Sequence, residues 1–272
     1  MKIGYTVWTW LVNAMSDWET YGPYAKRDFE QSLREVSHLG YPFVENFNIL
    51  VKMYEDCAEE FDALLDKYNL KFVNIYHFLS DDFDADMKLA ERCCNFVLAH
   101  DAAFMNIQAP WIPKGGYSRD LVDVTVKLTE MGRLCRDKGV TMCLHPHYGT
   151  TVFQGHEIDY VVNHTDPEYL SLCMDTAHTT LAGLDPAVAF SKYFDRIRYI
   201  HLKDVDPEVS HEQPMRGFTA LGQGVINFRA IFNTLKMLGY DGVLMVESDN
   251  RWVCNYETAM VSRNYLHRVL GQ

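Results

Sequence analysis

Short apolar runs alternate along the whole chain with longer stretches in which apolar residues recur at helical spacing. The runs are Lys2 to Val7, Phe43 to Phe47, Lys71 to Phe78, Phe104 to Ala109, Val140 to Leu144, Leu170 to Asp175, Ile197 to Leu202 and Val243 to Val246. Most are continuous rather than alternating, the pattern of strands covered on both faces. The stretches between them predict helices over Asp28 to Leu39, Met53 to Lys67, Asp84 to His100, Ser118 to Lys138, Glu157 to His164, Pro186 to Phe194, a segment from Val225 to Leu238, and Glu257 to Leu270. Gly40 and Gly139 end two of these helices, and Ser118 is placed as an N-cap. Trp8 through Pro23 reads as a loop, and so does Val205 to Val225. Strict alternation of strand and helix predicts one α/β domain over residues 1–272, a (β/α)8 barrel with parallel strands inside and helices outside. The other arrangement, an open doubly wound sheet, lacks support because no Gly-rich fingerprint follows the first strand.

Composition narrows the function more than the fold. The 272 residues are 48% apolar and 23% charged, ordinary for a globular domain. A net charge of −12 with no Lys/Arg cluster argues against nucleic-acid partners and fits a small-molecule substrate. Met1-Lys2-Ile3-Gly4-Tyr5 leads into the first strand with no signal-peptide core, and no run is long enough to span a membrane. None of the seven cysteines forms a CxxC pair and most lie in apolar segments, so reduced thiols in a cytoplasmic protein are expected.

Barrel enzymes carry their chemistry at the carboxyl ends of the strands. There the chain places Glu45 and Asn46, His77, Gln108, His145 and His147, Asp175 and His178, His201, Lys203 and Asp204, and Glu247 with Asp249. His145, Asp175, His201 and Glu247 come from four consecutive strand tips and make a mixed imidazole–carboxylate set suited to one divalent ion: Mn²⁺, Co²⁺, Zn²⁺ or Mg²⁺. Asp175 also reads as the N-cap of a following helix, and His145 alone reads as a hydrogen-bonded core residue. Glu247 beside Val-Leu-Met-Val needs a partner, because an unpaired charge there costs several kcal/mol. Trp8, Trp10 and Trp111 form an apolar wall for a sugar ring or ordinary barrel-top packing, while His77 and Gln108 are candidate substrate contacts. Gly222-Gln223-Gly224 is too short a signal for phosphate binding.

Met174 to His178, Ala182 to Pro186, His201 to Val205, Phe218 to Phe228 and Val246-Glu247 together resemble the xylose-isomerase-like TIM-barrel superfamily. That superfamily holds sugar isomerases, ketose 3-epimerases, inosose dehydratases and the endonuclease IV group. The resemblance implies metal ligands at His145, Asp175, His201 and Glu247, with His178 touching substrate. Where this chain has His145, the family usually has Glu, which weakens the paired-Glu mechanism of the epimerases. His145-Pro146-His147-Tyr148-Gly149-Thr150 is instead similar to the His-x-His-x-Gly-Thr segment of inosose dehydratases.

The expectation is a metal-dependent lyase that dehydrates or β-eliminates a cyclic keto-sugar or inosose through an enolate. His145 or His147 would be the proton-abstracting base and Glu247 a further catalytic group. His178, Lys203, His77, Gln108, Trp111 and Trp8 would bind substrate, a carbohydrate or cyclitol. The alternatives are a ketose epimerase or isomerase, an endonuclease IV-type phosphodiesterase and an inactive sugar-binding barrel. A homo-oligomer or a partner subunit is allowed for, with the loop from Val205 to Phe218 closing over substrate or meeting another chain.

Overall fold

The computed structural model describes residues 2–116, 120–212 and 216–270. In chain order the strands are β1 (Lys2–Thr6), β2 (Phe43–Phe47), β3 (Lys71–Phe78), β4 (Phe104–Gln108), β5 (Thr141–Leu144), β6 (Ser171–Asp175), β7 (Ile197–Leu202), β8 (Asp204–Val205), β9 (Phe218–Thr219) and β10 (Val243–Val246). All but β8 and β9 close into a parallel barrel in the order β1-β10-β7-β6-β5-β4-β3-β2. Closure is made by β1 on β10, with Lys2 opposite Val243 and Tyr5 opposite Val246. β8 and β9 form a separate antiparallel ribbon.

Two apolar cores follow from closure. The larger lies between strands and outer helices. The smaller fills the barrel, where Cys143, Cys173, Tyr199, Val243 and Met245 pack with Phe43 and Phe104. Alternate residues of a strand share a face, so the inward rows continue upward from these residues by steps of two. Gly4 makes room within the barrel: a Cβ there would stand 2.8 Å from the Met245 side chain and 2.6 Å from the Phe43 carbonyl.

The helices depart from expectation at their ends. The first long one spans Trp18–His38, not Asp28 to Leu39, because Asp17 caps it by accepting from the Thr20 N–H and the chain tolerates Pro23 inside. Gly22 allows this by leaving room for the Trp18 ring, which a Cβ would approach to 2.8 Å. The expected helix Met53 to Lys67 is two, Ile49–Tyr54 and Ala58–Lys67, parted where Cys57 leaves helical geometry. Ser118 lies outside the described residues, and Asp120 caps helix Leu121–Lys138. A short helix, Thr176–Leu181, begins directly at the tip of β6.

The stretch after β7 is organised rather than a plain loop. β8, a short helix Pro207–Glu212 and β9 occupy it. Gly222-Gln223-Gly224 is a cradle of backbone N–H groups already filled by the chain's own carboxylate. Asp204 accepts from Gly222 and Gly224 at 2.9 Å each, from Ile226 at 3.2 Å and from Val205 at 2.9 Å. A Cβ on Gly224 would sit 2.3 Å from Asp204 Oδ1, so only glycine permits that approach. Removing the acceptor leaves the buried N–H groups of Val205 and Ile226 and the part-buried ones of Gly222 and Gly224 without it. Asp204→Ala is therefore expected to cost about 2–4 kcal/mol in urea unfolding, and an unchanged midpoint would show that the cradle carries no stability.

Candidate metal centre

The inward rows of four neighbouring strands build the site. Above Cys143 comes His145, above Cys173 comes Asp175, above Tyr199 comes His201, and above Met245 comes Glu247. One ligand atom from each of His145, Asp175, His201 and Glu247 lies within 4.8 Å of the others, and all four residues are buried. Asp175 pairs with His201 in register, but His201 pairs with Met245, two residues short of Glu247. The tilt of a closed barrel supplies that stagger.

Each residue turns one atom toward a common point. Among the described residues, His145 Nε2, Asp175 Oδ2, His201 Nδ1 and Glu247 Oε2 are buried with no aligned hydrogen bond, and the charges they meet are one another and the Lys203 ammonium. Four such atoms converging on one point fit a divalent ion with imidazole and carboxylate ligands, the ion taking the place of the proton that otherwise lies between His201 Nδ1 and Glu247. Asp175 divides its work: Oδ1 accepts from the His178 N–H at 2.7 Å and caps helix Thr176–Leu181, leaving Oδ2 for the centre. Capping and ligation, opposed readings in the sequence, are compatible.

Each imidazole is oriented from behind. Tyr76 donates its O–H to Gln108 Oε1 at 3.1 Å, so its oxygen accepts from His145 Nδ1 at 3.0 Å. That places the proton on Nδ1 and the lone pair on Nε2. His201 stands between two carboxylates, with Nε2 2.9 Å from Glu45 Oε1 and Nδ1 2.9 Å from Glu247 Oε2. Glu45 is fixed in turn by Asn74 at 2.8 Å and by the Tyr199 hydroxyl at 2.6 Å.

One step higher sit His147, Lys203 and Asp249, joined by His178 from the helix after β6. Lys203 is wholly buried, its ammonium 2.7 Å from Asp249 Oδ2, 2.7 Å from Glu247 Oε2 and 3.4 Å from Asp175 Oδ2. His178 Nδ1 accepts from the Tyr148 N–H at 3.3 Å, and its Nε2 lies 3.2 Å from the ammonium. His147 points Nδ1 at the Tyr148 carbonyl at 2.7 Å, which leaves its Nε2 unprotonated when the ring is neutral.

The charge states follow from this crowding. Burial favours the neutral carboxyls, but Lys203 and His145 hold Asp175 below its usual range, and Lys203 and His201 hold Glu247 well below. Burial opposes the His201 cation, yet Cys173, Glu45 and Glu247 raise it well above an ordinary imidazole. Burial, then the neighbouring His145 and Lys203, push His147 down to about 3. His178 is lowered by burial and by His147 and Lys203. Burial, resisted by Lys203 and aided by Glu247, raises Asp249 to about 7.

A cavity of about 100 Å³ opens above these two levels. Trp8, Phe47, Tyr76, Phe78 and Trp111 form its apolar walls, and Gln108, His145, His147, Glu247 and Asp249 its polar lining. Trp8 stacks on Phe47 with centroids 5.1 Å apart, and Trp111 meets His147 edge-on at 5.0 Å. Trp10 is elsewhere, its indole N–H bonded to Glu35.

Three expected substrate contacts are placed differently. His77 faces the outer layer, one nitrogen 2.9 Å from Asn48 Nδ2 and the other 3.0 Å from the Asp86 carbonyl; its strand neighbour Tyr76 takes the inward position. Lys203 is enclosed by carboxylates and His178 by Tyr148 and Lys203, and neither lines the cavity. The supporting residue Tyr76 carried only a parity signal, two positions along its strand from the inward Asn74, whereas Glu45 was already among the polar strand tips without a role assigned to it.

Residues 33–265 match the xylose isomerase-like TIM barrel family. The chain belongs to that family. Within it, the chain is 34% identical over 157 residues to an inosose dehydratase of Geobacillus thermodenitrificans, covering 53% of each chain. An inosose dehydratase of Lacticaseibacillus casei is 36% identical over 157 residues, again 53% of each. The chain thus spans about half the length of the curated relatives it matches. The solved structure of the IolI protein with a bound zinc atom superposes with a TM-score of 0.77 at 15% identity, over 100% of this chain and 98% of that one. This family fold is shared widely, and the geometry above is the chain's own. No helix among the described residues is long and apolar enough to cross a membrane.

The relay from Gln108 through Tyr76 to His145 has a direct test. Tyr76→Phe removes the acceptor that fixes the His145 tautomer, and Mn²⁺ affinity measured by calorimetry is expected to fall roughly 10–100-fold. Unchanged affinity would remove Tyr76 from the centre.

Proposed function

We propose that this protein is a divalent-metal-dependent lyase that removes water from a cyclic keto-polyol of the inosose class. The observation that carries the reading is the convergence of His145 Nε2, Asp175 Oδ2, His201 Nδ1 and Glu247 Oε2 beneath an aromatic-walled cavity. The inosose dehydratases among the relatives support the substrate class. When bound, the ion supplies Lewis-acid stabilisation of the negative charge that develops on the ketone oxygen.

The chain's own residues do the rest. Trp8, Phe47 and Trp111 offer flat apolar surface to the ring, and Gln108 Nε2, buried without a partner, offers a hydrogen bond to a substrate oxygen. His147 and Asp249 are the proton-transfer groups that reach the cavity besides the ligands. A proton on His147 would create a cation beside Lys203, whereas Asp249 is a carboxylate at the cavity whose hold on a proton burial and Glu247 raise against the pull of Lys203. Asp249 is therefore assigned as the base, in place of His145 or His147, and neutral His147 as a hydrogen-bonding group. The C–H bond α to the ketone breaks, its proton passing to Asp249. The electron pair then forms the C=C bond as the β-hydroxyl leaves, and the proton held by Asp249 passes to that hydroxyl, which departs as water.

An epimerase would need a second acid/base group on the opposite face. His145 offers none, with Nδ1 tied to Tyr76 and Nε2 aimed at the ligand cluster.

Proton exchange in deuterated buffer tests the proposal. An inosose should exchange its α-proton and lose water with metal present, and do neither after chelation. Asp249→Asn should slow exchange roughly 10²–10⁴-fold while the protein keeps its metal. Absence of exchange by the metal-loaded protein would refute the lyase reading.

A further inference from the structure

Among the described residues, potential metal ligands gather at two heights of this barrel, Cys173 adding a further ligand-type atom below His145 and His201 in the lower one. Besides the four-residue centre, His147, His178 and Asp249 each offer a ligand atom within 4.8 Å of the others, all buried. Such a pair of adjacent clusters is the raw material of a two-ion site, in which carboxylates shared between the ions clamp the substrate.

The position between the clusters is already filled by a cation that the chain supplies. Lys203 Nζ lies 2.7 Å from Asp249 Oδ2 and 3.2 Å from His178 Nε2, both members of the upper cluster. It also lies 2.7 Å from Glu247 Oε2 and 3.4 Å from Asp175 Oδ2, both members of the lower one. These are the oxygens a second ion would share with the first. The side chain is wholly buried, and the Phe218 ring, 4.9 Å from Nζ, closes one side. The backbone is pinned as well: the Lys203 N–H donates to Thr176 Oγ1 at 2.9 Å, and that hydroxyl donates to the Lys203 carbonyl at 2.6 Å.

We infer that Lys203 is a built-in substitute for a second metal ion, which keeps the centre mononuclear, and that His147, His178 and Asp249 are a latent second site which its ammonium blocks. The inference rests on the metal reading of the lower cluster. Charge and chemistry agree with it. One ammonium neutralises carboxylates that could not otherwise lie so close together in a buried site. A fixed monovalent charge cannot activate water or accept a substrate oxygen as a ligand. The protein is thereby confined to one-ion chemistry of the enolate-stabilising kind, and two-ion displacement at phosphorus is excluded.

Metal stoichiometry tests this without recourse to activity. The wild-type protein, titrated with excess Co²⁺ or Mn²⁺ and analysed for metal after removal of free ion, should hold a single ion per chain. Lys203→Met, close in volume but uncharged, should take up a second, with a spin-coupled Mn²⁺ pair visible by electron paramagnetic resonance. Lys203→Arg should stay at one, and Asp249→Asn added to Lys203→Met should return the count to one. A folded Lys203→Met protein that binds one ion would overturn the inference and leave the first site standing. A wild type that binds two would also overturn it, and this arm holds even if Lys203→Met does not fold. A wild type that binds none would remove the lower centre and the inference with it.

Discussion

In a closed parallel barrel every strand must turn alternate side chains toward the axis, and that constraint determines what lies next to what in this protein. Tyr199, His201 and Lys203 rise along one strand row, and Met245, Glu247 and Asp249 along its neighbour. The lower positions are apolar and fill the barrel, as Cys143, Cys173 and Met245 do. The next positions carry lone pairs, and the topmost carry Lys203, His147 and Asp249. Floor, ligand layer and upper charge layer are one pleat read at successive heights.

Burying this much charge is possible only because every charged group is neutralised or bonded nearby. Lys203 faces three carboxylates, and His201 lies between Glu45 and Glu247. Removing one partner from such a network leaves the rest uncompensated, which makes the site a unit rather than a sum of pairs. Bonds from outside the cluster leave one atom over on two of the candidate ligands. Tyr76 occupies His145 Nδ1, and a backbone N–H occupies Asp175 Oδ1. The atom left over on each, His145 Nε2 and Asp175 Oδ2, faces the candidate metal cluster.

The ribbon of β8 and β9 extends the same economy to the barrel mouth. Asp204, next to Lys203, does not enter the centre but folds the Gly222-Gln223-Gly224 turn around its own carboxylate. Phe218 on β9 is thereby brought against Lys203 and His178. A tripeptide too short to signal phosphate binding thus has a plain structural office.

The sequence by itself determined the architecture. Eight apolar runs with helical stretches between them admit few closures, and four candidate ligand residues stood out jointly, at four successive strand tips, although His145 alone also read as a core residue and Asp175 as a cap. Element ends were less legible, since Asp17 and Asp120 as caps, and the room Gly22 leaves for Trp18, depend on geometry that periodicity does not carry. Tertiary structure alone decided which way each side chain faces and what it meets. His77 and Tyr76 are adjacent in sequence, and only the pleat sends one to Asp86 and the other to His145. Lys203 read as a hand for substrate, but its reach is spent on Asp175, Glu247 and Asp249, residues from two other strand tips whose proximity no local pattern records. Strand pairing across the closed barrel sets those distances, and so it, not residue type, separates a ligand from a counter-ion.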